Sequence, residues 1–180
     1  MKIQKLSLPE VLLIEFEEFV DHRGYFYESY NKRDLKKLIG FDINFVQINT
    51  AYSNKDVIRG LHFQINPHSQ YKLIRVTKGE VFDVVVDARK DSPSFGKWCG
   101  YNLSDKNKSQ LLVPQGFAHG FLTLSENSEL SYLSSDHYYP EFERCVSWRD
   151  PFINIDWPIQ REPIISDKDN NDNSLKNIFK

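Results

Sequence analysis

The chain is poor in the residues that would staple it or anchor it. Only two of its 180 residues are cysteine, Cys99 and Cys145, and they do not form a closely spaced pair. That excludes a disulfide framework and a cysteine-cluster zinc site, and it suits a reducing compartment, with both thiols read as ordinary core or subsurface groups. No apolar run is long enough to cross a membrane, and the segment Met1 to Lys5 leads into Pro9 and Glu10 rather than an export signal. A cytoplasmic protein with no membrane partner is therefore expected. Charge of one sign is also lacking: 23 basic against 25 acidic residues leave a net charge of −2, so no broad basic face exists for nucleic acid. There is no glycine-rich phosphate loop. Neither His62 nor His119 has a second histidine two positions away, so the His-x-His pair usual in metal-binding barrels is missing and no metal is expected.

What is present is β-rich. Runs of branched and aromatic residues at 11–16, 25–30, 44–53, 71–77, 80–87, 97–103, 110–113, 117–124 and 129–134 alternate with turn residues, the pattern of a sandwich or barrel. Only residues 32–39 read as helix, with Leu35 and Leu38 on one face. With 40% hydrophobic and 14% aromatic residues, the chain suffices for one domain over 1–180. Strand alternation places Gln47 and Asn49 on one face. In 80–87 it sets Phe82, Val84 and Val86 against Asp83 and Asp87, and the two carboxylates are expected to face solvent on an outer sheet surface. The stretch after Ser166 turns polar and is expected to be a solvated loop.

The densest cluster of unusual residues is Arg59-Gly60-Leu61-His62-Phe63-Gln64, followed by Gln70 and Lys72. In a regular strand Arg59 and His62 would face opposite ways; Gly60 permits a bulge that turns both toward one cavity. His119 sits between the small residues Ala118 and Gly120, which leave room for close approach. Asp21-His22-Arg23-Gly24 with Glu28 reads as a charged turn entering a strand. If a ligand carries phosphate, isolated arginines such as Arg23 and Arg59 must hold it. Tyr132, Tyr138 and the charged run Ser166 to Asp169 are by residue type structural or solvated.

Taken in order, Asp21-His22-Arg23-Gly24, Arg59 to Gln64, Asp91 to Gly96, Pro114 to Gly120, Trp148-Arg149-Asp150-Pro151, Trp157-Pro158 and Ser166 to Asp169 resemble the dTDP-4-dehydrorhamnose 3,5-epimerase family across nearly the whole chain. The resemblance implies a mainly β, cupin-type jelly-roll barrel with short peripheral helices, a homodimer, no metal or organic cofactor, and a nucleotide-linked 4-keto-6-deoxy sugar as substrate. It implies His62 as the base, Asp169 as its orienting acid, Lys72 beside the sugar ketone and Tyr132 as the acid on the opposite face. Arg23, Glu28, Gln47, Asn49, Arg59, His119, Glu143 and Lys168 would contact sugar or diphosphate, with Tyr138 stacked on the base. The sequence departs from the family at Leu133, Ala51 and His137, which bears on substrate preference. A relative acting at C3 or C5 alone, one acting on another nucleotide's keto sugar, and a non-catalytic sugar-nucleotide-binding jelly roll remain the alternatives.

Overall fold

The computed structural model describes residues 2–179. In chain order the elements are β1 (Lys2–Lys5), β2 (Leu12–Glu15), β3 (Phe19–Asp21), β4 (Gly24–Phe26), α1 (Lys32–Ile39), β5 (Gln47–Ser53), β6 (Ile58–Gln64), β7 (Lys72–Lys78), β8 (Glu80–Asp87), β9 (Trp98–Ser104), β10 (Gln110–Val113), β11 (Phe117–Thr123), β12 (Ser128–Ser134) and β13 (Glu143–Cys145). They form a six-stranded sheet in the order β1-β2-β10-β7-β12-β5, a five-stranded sheet in the order β13-β6-β11-β8-β9, and a separate β3-β4 hairpin. This is the expected mainly β jelly roll with helix at the periphery.

Alternation assigns each strand's two faces. Between the sheets lie Leu13, Ile74, Val76, Val81, Val85, Leu103, Leu111, Phe117, Phe121 and Leu130. The outer face of the five-stranded sheet, including Ile58, Leu61, Phe63, Val84 and Val86, is covered by Val146, Ile153, Trp157 and Leu175 of the C-terminal segment. Leu35 of α1 packs with Ile14, Leu73 and Leu112 on the outer face of the six-stranded sheet. The helix is short because its ends are fixed: the Asn31 side chain accepts from the Asp34 N–H, and Gly40 closes the last turn at φ 89°. None of the described helices is long and apolar enough to cross a membrane.

Two expectations are corrected. Asp83 and Asp87 are both 0% exposed; because Val84 and Val86 face the apolar C-terminal cover, the alternate positions point between the sheets. Each carboxylate has partners there. Asp87 accepts from Arg89, Ser92 and Ser94 at 2.5–2.9 Å, and although burial opposes it, these bonds hold its pKa down at about 2. The polar tail is not simply solvated either: Asp169 is 3% exposed.

Candidate active site

β6 sets up the site through an irregularity. His119 of β11 pairs with His62, but Phe121, two residues on, pairs with Arg59, three residues back. The extra residue is a bulge at Gly60, whose φ is 112°. A Cβ there would lie 2.6 Å from Gly120 Cα and from the His119 carbonyl oxygen, so only glycine fits. The bulge puts Arg59 and His62 on the same inner face while Leu61 stays in the outer core.

A cavity of about 320 Å³ opens between the sheets. One wall is β6 and β11, carrying Arg59, His62 and His119; the other is β7 and β12, carrying Lys72 and Tyr132; Glu143 and the turn with Lys168 and Asp169 close the side. His62 Nε2 lies 2.6 Å from Asp169 Oδ1, and the Gly60 N–H donates to Asp169 Oδ2 at 3.0 Å. Burial pushes the Asp169 carboxyl up, but the His62 bond and the backbone donor outweigh it and hold the pKa below its ordinary value. With Nε2 engaged by Asp169, Nδ1 is the ring nitrogen left to act in the cavity.

Lys72 is buried, its Nζ donating to the His62 carbonyl at 3.4 Å and standing 5.8 Å from the centre of the Tyr132 ring. Burial lowers its pKa to about 8, against the pull of Glu143 and Asp83. His119 Nε2 lies 3.0 and 2.9 Å from the two oxygens of Asp83, whose pKa burial raises despite His119 and Lys72. Burial and Glu143 also raise the Tyr132 phenol, which keeps it protonated. Arg59 is held by Ser53 Oγ at 3.0 Å and the Tyr52 carbonyl at 3.1 Å. At the mouth, Glu143 accepts from Tyr138 Oη at 2.9 Å and Lys168 Nζ at 2.5 Å.

Of the residues singled out from sequence, the structure gathers His62, Lys72, Tyr132, Asp169, Arg59, His119, Tyr138, Glu143 and Lys168 around this cavity. Gln47 and Asn49 lie beside it on the face of β5 shared with Ala51; Gln47 Nε2 donates to Asn49 Oδ1 at 2.8 Å, and Gln47 Oε1 accepts the Tyr138 N–H at 3.2 Å. Arg23 and Glu28 are not brought in. Arg23 is exposed on the β3-β4 hairpin, paired to Asp21 at 2.6 Å, and Glu28 lies near Asp34 and Lys37 of α1.

Three groups have a place in the site that the sequence did not assign them. Gln64 anchors the Tyr138 loop, donating to the His68 and His137 carbonyls at 2.7 and 3.1 Å and accepting the Tyr139 N–H at 2.7 Å; its place on the His62 face was the available signal. Asp83, read as solvent-facing, is the buried partner of His119. Cys145, read as an ordinary thiol, lies on β13 directly opposite His62. Its Sγ donates to Asp169 Oδ1 at 3.6 Å, and burial together with that carboxylate pushes the thiol up to about 11.

Known proteins share both the sequence and this arrangement of strands. The profile of the dTDP-4-dehydrorhamnose 3,5-epimerase family matches residues 5–177. The dTDP-4-dehydrorhamnose 3,5-epimerase of Pseudomonas aeruginosa is 50% identical over 169 residues, covering 94% of this chain and 93% of that one. The crystal structure of dTDP-6-deoxy-D-glucose-3,5-epimerase from Legionella pneumophila, in complex with dTDP-4-keto-L-rhamnose, superposes with a TM-score of 0.94 at 42% identity, covering 97% of this chain and 93% of that one. A 3'-monoepimerase from Streptomyces bikiniensis in complex with dTDP-quinovose superposes at 0.91 with 32% identity, covering 96% and 87%. The jelly roll is thus of the cupin kind seen in these epimerases, and the chain belongs to the dTDP-4-dehydrorhamnose 3,5-epimerase family.

Proposed function

We propose that this protein epimerises dTDP-4-dehydro-6-deoxy-D-glucose at C3 and C5, giving dTDP-4-dehydro-L-rhamnose. The observation that carries this reading is the opposition of the His62–Asp169 pair on one sheet to Tyr132 and Lys72 on the other, across a single cavity. A hydrogen next to a ketone becomes acidic when the negative charge can move to the carbonyl oxygen. In this reading His62 Nδ1 removes that proton, and Asp169 stabilises the imidazolium. The Lys72 ammonium holds the enolate oxygen, and the Tyr132 phenol delivers a proton from the far wall. Two groups on opposite walls are what inversion demands, because a lone base returns the proton to the face it left.

Arg59, His119, Glu143 and Lys168 would engage sugar and diphosphate, with Gln47 and Asn49 beside them and the half-exposed Tyr138 ring stacked on the base. No metal or organic cofactor is needed for such a step, and the whole chain serves as one catalytic domain in the cytoplasm. The greater identity to 3,5-epimerases than to the monoepimerase (50% against 32%) favours action at both carbons.

The unit would be a homodimer. Ile48 on the edge strand β5 is 69% exposed, and Phe19, Val20, Tyr25 and Phe26 of the hairpin are exposed too, apolar side chains of the kind a second copy covers. This also gives Arg23 and Glu28 a place: a hairpin crossing to the neighbouring copy would present them to its cavity.

The test is to incubate the keto sugar nucleotide with protein in deuterated water and follow the sugar by NMR. Deuterium at C3 and C5 with the L-rhamno product is the expected result. Label at one carbon would make it a monoepimerase, and no label would leave a binding protein.

A further inference from the structure

We propose that Cys145, His62 and Asp169 together form an inhibitory site for a thiophilic divalent cation, Zn²⁺ or Cd²⁺, that switches the enzyme off by occupying the rear nitrogen of its base. The three donors come from three separate segments, yet Cys145 Sγ, a His62 ring nitrogen and an Asp169 oxygen all lie within 4.8 Å of one another. They are rigidly placed. Cys145 and His62 are directly paired residues of β13 and β6, and the Gly60 N–H fixes Asp169 by its other oxygen.

The donor set selects the ion. One thiolate, one imidazole and one carboxylate suit a borderline-soft ion and not Mg²⁺ or Ca²⁺, which require six or more oxygens. Three protein ligands leave the fourth tetrahedral position for water from the cavity. A second observation points the same way: the Asn171 side-chain amide donates to Cys145 Sγ at 3.2 Å, the outer hydrogen bond that orients and stabilises a metal-bound thiolate. Around Zn²⁺, bond lengths of about 2.0–2.3 Å require the His62–Asp169 separation of 2.6 Å to widen by under about 1 Å, within reach of side-chain rotation.

The consequence for catalysis follows from proton counting. Binding forms a metal–sulfur bond and releases the thiol proton to solvent. The metal takes the lone pair of Nε2, so the neutral ring must carry its single N–H on Nδ1. That nitrogen then has no lone pair for a substrate proton. This half of the inference rests on the reading of His62 as the base; cation binding itself does not.

The experiment titrates metal-free protein with Cd²⁺ and records the thiolate-to-metal ultraviolet band, the protons released at fixed pH and the rate of keto-sugar exchange. The band should saturate at one equivalent per chain with one proton released. Exchange should fall by about a hundredfold, the order of a lost general base, and return on adding EDTA. In Cys145→Ser the band should vanish, and the variant's own metal-free rate should no longer respond to Cd²⁺. Cys99→Ser, altered in the core, should keep the band. A band that survives in Cys145→Ser, or none in the wild type, overturns the site; a full band with undiminished exchange overturns the switch. Absence of any exchange before Cd²⁺ is added would sink the epimerase reading instead, while the band still reports the site.

Discussion

His62 and Asp169 are 107 residues apart in the chain, and their side chains meet at 2.6 Å. The contact decides which nitrogen of His62 carries its proton, since the carboxylate accepts from Nε2–H and leaves Nδ1 as the acceptor. Asp169→Asn offers a carbonyl oxygen or an amide of similar shape but no charge to balance the imidazolium. Its kcat should fall by about 10²- to 10⁴-fold, as when the orienting acid of a catalytic triad is neutralised. KM should change little, because Asp169 is buried behind the base. Steady-state kinetics with the keto sugar nucleotide checks both numbers.

If Tyr132 is the acid on the other wall, its loss should separate exchange from inversion. In Tyr132→Phe the ring still packs against the core but has no proton to give. His62 can still remove a proton and return it to the same face. Deuterium should therefore enter the starting sugar nucleotide, while formation of the inverted product drops by about 10²-fold or more. NMR in deuterated water reads the two rates in one tube, and equal loss of both would assign Tyr132 to binding alone.

Much of this arrangement was legible in the sequence, for reasons that particular residues make plain. The strands rich in branched residues, such as β7, β8, β11 and β12, fall within a residue or two of the expected runs, since their hydrophobic alternation matches a sheet packed on both faces. β6 was not among those runs, because Gly60, His62 and Gln64 interrupt its apolar pattern for the sake of the cavity. The short β3 and β13 carry too few residues for any period to show, and of the run expected over 25–30 only Tyr25 and Phe26 are strand, in β4. Alternation correctly set Asp83 opposite Val84 but could not say which face was inside; that depended on the distant cover of Trp157 and Ile153. Cys145 beside Asp169 gave no local signal at all, since the pairing of β13 with β6 creates the contact. The departure of Arg23 and Glu28 from the cavity is likewise a matter of long-range placement.

Lys72 should impose an alkaline limit on activity. Its ammonium is buried with Glu143 and Asp83 as its charged neighbours, the Tyr132 ring near it, and His62 and His119 on the facing strands; burial wins and brings its pKa to about 8. The cation is therefore present below about pH 8 and lost above it, so kcat/KM should decline on the alkaline side with an apparent pKa near 8. Lys72→Arg should move that limb to higher pH at reduced rate, and Lys72→Met should abolish most activity at every pH. Stability runs the other way. Between the folded value of about 8 and the ordinary 10.5, the unfolded chain binds the proton and the folded one does not, so this lysine's contribution to stability rises with pH through that window. Thermal melts beside the pH–rate profile would show activity falling while this contribution grows.

The proposed dimer makes a prediction that oligomeric state alone does not. Arg23 lies on an exposed hairpin away from its own chain's cavity, and His62 lines that cavity. If the hairpin serves the neighbouring copy, Arg23→Ala and His62→Ala lie in different parts of a shared site. Each variant alone should be impaired, the first mainly in KM through loss of a phosphate contact and the second in kcat by about 10²- to 10⁴-fold. In a mixed dimer, one cavity combines an intact His62 from one protomer with an intact Arg23 from the other. Refolding the two variants together at equal concentration should produce mixed dimers with one wild-type site each, giving about a quarter of wild-type activity if chains pair at random. Were Arg23 to act within its own chain, mixing would restore nothing beyond the average of the two variants. Sedimentation of the mixture confirms that dimers are present, so the restored rate isolates the crossing of the hairpin.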